Sequence, residues 1–184
     1  MTSAAAGARR QRRGLLGALD AAFRPLENAA AIAGGVMMVL AMVLMTMDAV
    51  LRYLFSAPIQ FAPRLIEFYF MVGMFSMPLA WGFRTGGYIR IMAGIASFPA
   101  RARTAVLRLG LLVSSVYVAG LAWTSGGHFL ETWRTGEVYV GVLDWSVAWS
   151  WIWVPVGLAL LAVRLVLMAF GAAEDLTITH SEGT

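Results

Sequence analysis

Four long runs of uncharged, apolar residues constrain this chain more than any other feature. Residues 28–47 carry no charge, residues 68–83 carry none, residues 109–130 hold only His128 as a titratable group, and residues 145–163 carry none. A helix needs about 20 mostly apolar residues to cross a bilayer. Lipid offers no hydrogen bonds to an open backbone, so such runs must satisfy their own peptide groups as helices. The second run reaches spanning length when Leu65–Glu67 are included. Hydrophobic residues make up 60% of the 184 positions and charged residues 13%, against about 25% charged in a soluble domain. A water-soluble globule and a disordered chain are both excluded. The pattern predicts an all-α membrane protein with four transmembrane helices.

The charges orient those helices. There are fourteen arginines, no lysine and ten acids, for a net charge of +4. With four spans, eleven arginines fall on one side of the membrane and three (Arg52, Arg64 and Arg134) on the other. The excess of cations marks the cytoplasmic side, so both termini are expected in the cytoplasm of a multi-pass inner-membrane protein. In so apolar a chain the basic balance points to the anionic headgroups of phospholipids and not to nucleic acid.

Three parts are expected: an arginine-rich segment over residues 1–25, a four-helix transmembrane domain over 26–173 and a polar tail over 174–184. Arg9–Arg13 resemble the start of a signal peptide, but Asp20, Arg24 and Glu27 interrupt before the long apolar run, and no small-residue cleavage site follows. Leu15, Leu16, Leu19 and Phe23 share one helical face, which predicts a short interfacial helix on the inner membrane surface. Between spans two and three, Ile89, Ile91, Met92, Ile95 and Phe98 keep the connection apolar while arginines flank it. This predicts a second interfacial segment.

Few residues suggest chemistry. The chain has no cysteine, so disulfides, thiolate metal sites and cysteine nucleophiles are excluded. Its two histidines, His128 and His180, make no plausible haem pair, and His180 lies in the polar tail. No cofactor, metal or catalytic group is predicted. Ionisable groups near membrane spans always raise a functional question. Asp48 and Arg52 stand four residues apart at the outer end of span one, and Arg64 and Glu67 three apart at the start of span two. These four could relay protons, or they could pin the hairpin as a paired cluster; their place near a membrane surface favours pinning. Arg164 lies in the apolar run of span four near its inner end, where snorkelling to the surface accounts for it. Trp145, Trp149 and Trp153 open span four at spacings of four and read as headgroup-level anchors. Pro78 and Pro155 predict simple kinks, and Gly34-Gly35 and Ser115 with Ala119 offer small faces for close packing.

Several short stretches, taken in order, resemble one family. Leu26-Glu27-Asn28 precedes span one, and Arg52-Tyr53-Leu54-Phe55 with Ala57-Pro58-Ile59 follows it. Arg84-Thr85-Gly86-Gly87-Tyr88-Ile89 follows span two, Phe98-Pro99 with Arg101 and Arg103 leads into span three, and Trp145–Trp153 with Val154-Pro155-Val156-Gly157 opens span four. Over roughly residues 26–170 this resembles the DctQ-like small permease subunit of tripartite ATP-independent periplasmic (TRAP) transporters. Pro63-Arg64 stand where the family often has paired glutamates, Tyr88 where it has histidine, and Met92 where it has an acid.

The resemblance implies a non-enzymatic subunit of a sodium-coupled importer of organic acids. Its partners would be a large, many-helix TRAP membrane subunit, which carries the transport site, and a periplasmic substrate-binding protein that docks transiently. The small subunit would scaffold the large one. Structural or partner-interface roles are then expected for Asp48, Arg52, Tyr53 and Glu67 at the outer hairpin and for Arg84, Gly86 and Gly87 at the inner turn. A rival reading, a membrane anchor or assembly subunit of a respiratory or photosynthetic complex, fits the same hydropathy.

Overall fold

The computed structural model describes residues 2–86, 99–139 and 145–171. Four helical stretches among them are long and apolar enough to cross a membrane: Gly17–Phe55, Ala62–Arg84, Ala105–Thr135 and Ala148–Phe170. The all-α membrane fold read from the apolar runs is the fold observed.

The first helix, α1, runs without a break over Thr2–Phe55, about 80 Å at 1.5 Å per residue. The amphipathic stretch before residue 25 is therefore continuous with the first span and is not a separate element. Pro25 lies inside it, where the missing N–H deletes one rung to the carbonyl four residues back and leaves the rest of the ladder intact. The interfacial segment expected between spans two and three lies outside the described residues, as do Gly87 and the polar tail.

The second span is segmented. It comprises α2 (Ala62–Leu65), a π turn (Ile66–Phe70), α3 (Met71–Ser76) and α4 (Leu79–Arg84). At Pro78 the α ladder lapses over Met77 and Pro78, because proline cannot donate to the carbonyl of Met74, while both residues keep right-handed helical dihedrals. The π turn makes a second irregularity that hydrophobicity did not announce. The third span belongs to α5 (Ala100–Thr135), which ends on Gly136 in the left-handed conformation, φ 64°, a conformation glycine adopts at no steric cost. A short antiparallel ribbon follows, β1 (Val138–Tyr139) against β2 (Trp145–Ser146). The fourth span is α6 (Ala148–Trp151) and α7 (Trp153–Gly171).

Helix α7 is the hub. The segments α1, α3, α4 and α5 all pack on it, α1 also packs on the second span, and the extended seam of α5 is with α6 and α7. Ala30, Met77, Ala80 and Leu160 form a small core, with Phe23 and Trp153 against it. Small residues let the backbones approach. A Cβ at Gly157 would fall 2.6 Å from the Ser76 carbonyl carbon, and one at Gly34 would fall 3.0 Å from the Pro78 ring. By contrast Gly35 has open space around it, so only one glycine of that pair serves packing.

Candidate functional site

Two polar sites tie the helices, one near each end of the first span. The inner one begins with Glu27, which is 0% exposed on α1. Arg84, the last residue of α4, brings its Nη1 within 2.9 Å of Glu27 Oε2. Arg164 of α7 brings its Nε to 3.6 Å from Oε1. Neither contact is aligned as a hydrogen bond, so Coulomb attraction in a region of low dielectric holds the carboxylate. Arg164 also reaches back to Asp20, Nη1 to Oδ1 at 2.5 Å, and Asp20 pairs with Arg24 at 2.7 Å. The charges alternate along one chain, Arg24–Asp20–Arg164–Glu27–Arg84. Arg84 further donates to the Asn28 side chain and to the Arg24 carbonyl.

This clasp joins the first, second and fourth spans through side chains that apolar helices cannot bury singly. It corrects the snorkelling account of Arg164, which is buried and paired. It also extends the part expected of Arg84, which reaches back to Glu27 on α1 as well as standing beside the inner turn. At that turn Gly86 adopts φ 79°, a left-handed conformation costly for residues with a Cβ.

The outer site centres on Asp48, which is 3% exposed. Its Oδ2 accepts from Arg52 Nη2 at 2.5 Å and its Oδ1 accepts the backbone N–H of Ile59 at 2.7 Å. The loop leaves α1 through Ser56 at φ 52°, and Asp48 secures it as the chain turns toward α2. Glu67 does not join this site: it is exposed in the π turn, and among the described residues no ion pair connects it to Asp48 or Arg52. Tyr53 is 92% exposed, free to meet lipid or a partner.

A second outer tie links the π turn to the fourth span. Tyr69 donates its hydroxyl to the Ser146 carbonyl at 2.6 Å, and Ser150 donates to the Phe68 carbonyl. A π turn opens the helix ladder by one residue, and here buried Ser150 meets one of its carbonyls. Nearby, Trp149 is exposed and stands edge-on to Trp133, with ring centroids 6.1 Å apart. His128 tilts against Trp151 at 5.6 Å. Trp153 is no free-standing anchor: it is half-buried and packs against the core. Trp145 belongs to β2 and not to a helix, so the spacing of four does not carry from it into α6 and α7. The Trp145 side chain lies outside the described residues.

Among the described residues no group of three acids or histidines is placed to hold a metal. The model of the family described as tripartite ATP-independent periplasmic transporters, DctQ component, matches residues 41–175. The chain belongs to the DctQ family. The match covers well over half the chain and includes Asp48, Arg52, Arg84, Arg164 and Gly157. Asp20, Glu27 and the helix before them lie outside it, so the inner clasp straddles the edge of the DctQ match. A search of curated proteins returns no match.

Sequence reasoning did not single out Asp20, Glu27 and Arg164 as one site. A signal existed. Asp20 and Glu27 are two turns apart on one helix face, and Arg164 interrupts an apolar run that continues beyond it.

Proposed function

We propose that this chain is the stationary small subunit that scaffolds the large, many-helix membrane subunit of a TRAP importer. In this reading it sits in the inner membrane with both termini in the cytoplasm. The large subunit carries the transport site, a periplasmic substrate-binding protein docks transiently on the outer face, and sodium drives uptake of an organic acid. The chain itself catalyses no reaction.

The observation that carries the reading is how the buried charges are used. Glu27, Asp48 and Arg164 each join one part of this chain to another, as a rigid support requires. Meanwhile α1 and α5 expose large apolar side chains, among them Met38, Met42, Val113, Val116 and Tyr117. A helix apolar on all sides supports burial by lipid or by further helices. Proteoliposomes test the proposal. The co-encoded large subunit, supplied with its binding protein, should take up substrate down a sodium gradient only when this chain is present. Equal uptake without the chain would remove the scaffolding role, and uptake indifferent to sodium would remove the coupling ion.

A further inference from the structure

Helix α1 does not stop at the inner clasp. It continues on the N-terminal side of Glu27 all the way back to Thr2. Before Asp20 there is no acid, yet Arg9, Arg10, Arg12 and Arg13 are all present. At about 100° per residue, Arg9, Arg10, Arg13 and Arg24 fall within one sector of about 100°. Leu15, Leu16, Leu19 and Leu26 fall within a neighbouring sector of similar width, which also contains Arg12. Where side chains are described, Arg24 in the first sector and Leu19 and Leu26 in the second are exposed, while Asp20 and Glu27 of the first sector both pair with Arg164 and Phe23 of the second packs against the core. The clasp leaves this side cationic, since its alternating chain holds three arginines against two acids and ends on exposed Arg24. Pro25, with no N–H to offer the Ala21 carbonyl, supplies a point at which the extension can bend.

We propose that residues 9–24 form a seat for anionic phospholipid headgroups of the inner leaflet, with the arginine sector on the phosphates and the leucine sector at the acyl boundary. The chemistry suits that occupant. Guanidinium groups pair with phosphate in bidentate fashion, and an adjoining apolar stripe is what an interfacial helix buries. An acidic protein surface would meet the arginines but would leave the leucines uncovered. The proposal rests on the cytoplasmic placement of the N-terminus.

The chain has no cysteine, so Leu16→Cys accepts a single environment-sensitive fluorophore on the full-length protein. This protein is reconstituted in phosphatidylcholine vesicles with and without phosphatidylglycerol. Blue-shifted emission is expected only with phosphatidylglycerol. It should revert at about 1 M salt, where the screening length falls to about 3 Å, and should be absent when Arg9, Arg10, Arg12 and Arg13 are all changed to Gln. Identical emission in the two lipids overturns the proposal. So does a shift that survives the four Gln substitutions, or one that needs the large subunit and not the anionic lipid. Ser3→Cys with a membrane-impermeant maleimide checks the premise separately: labelling from outside intact cells refutes the cytoplasmic N-terminus, whatever the vesicles report.

Discussion

Glu27 and Asp48 are buried acids at opposite ends of the spanning part of one helix. At a rise of about 1.5 Å per residue they stand about 31 Å apart along its axis, close to the thickness of a bilayer's hydrocarbon core. Each acid binds α1 to a different part of the fold: Glu27 to the inner ends of the second and fourth spans, Asp48 to the loop leading into the second. Between them α1 presents mostly apolar residues, so its polar ties concentrate at the two ends.

The inner clasp should behave as a unit. Glu27 is the acid that pairs with both Arg84 and Arg164, so Glu27→Ala leaves Arg84 without a carboxylate and Arg164 with Asp20 alone. Breaking one side of a buried pair costs about 3–5 kcal/mol, so a marked fall in melting temperature in detergent is expected. Arg164→Ala combined with Asp20→Ala should cost less than the sum of the single changes, because the two side chains share one contact. Additive losses measured by thermal unfolding would separate them.

At the outer site the backbone contact should outweigh the ion pair. Arg52 is largely exposed, and exposed pairs contribute about 0–1 kcal/mol, so Arg52→Ala should change stability little. Asp48→Ala strands the Ile59 N–H, a loss of about 1–3 kcal/mol, while Asp48→Asn keeps an acceptor and should fall between. Chemical denaturation of the three variants in the same micelle ranks them.

Gly157 and Gly35 should respond oppositely to alanine. A methyl at Gly157 collides with the Ser76 backbone, and overpacking of this kind costs about 1–3 kcal/mol. A methyl at Gly35 meets nothing within 4 Å and should stabilise the helix by about 0.5–1 kcal/mol. Thermal scans of Gly157→Ala and Gly35→Ala in one detergent compare the signs.

The tie from the π turn is testable without disturbing the core. Ser150→Ala deletes the donor to the Phe68 carbonyl, and Tyr69→Phe deletes the donor to Ser146. Each should cost about 1 kcal/mol. Hydrogen exchange should rise first at the amides of Ile66–Phe70, and unchanged exchange there would argue against the tie.

Much of the fold was legible because a bilayer turns hydrophobicity into geometry: residues 28–47 and most of 145–163 could be little other than spanning helices, although Trp145 and Ser146 at the start of the latter run form β2. The π turn at Ile66–Phe70 was not legible, since its ties run to Ser146 and Ser150, which lie far along the chain at the entry to the fourth span. The pairing of Asp48 with Arg52 could be read from their spacing along one helix, but the Asp48 contact to Ile59 required the loop's path. Glu27 and Arg164 stand out in the sequence only as separate charges, because side chains near opposite ends of the chain meet only when α1 and α7 pack. Trp149 is exposed while Trp153, four residues on, packs against the core of Ala30, Met77, Ala80 and Leu160, a contact that spacing alone does not reveal.

The central claim is that this DctQ chain is a scaffold for a larger membrane subunit. Co-expression of the tagged chain with its neighbouring membrane-protein gene, followed by purification in mild detergent and mass determination of the complex, tests it most directly. The account predicts a one-to-one complex with a hydrophobic partner of more than about ten spans, each of about 20 residues. A chain that purifies alone while that partner stays intact and active without it would contradict the account.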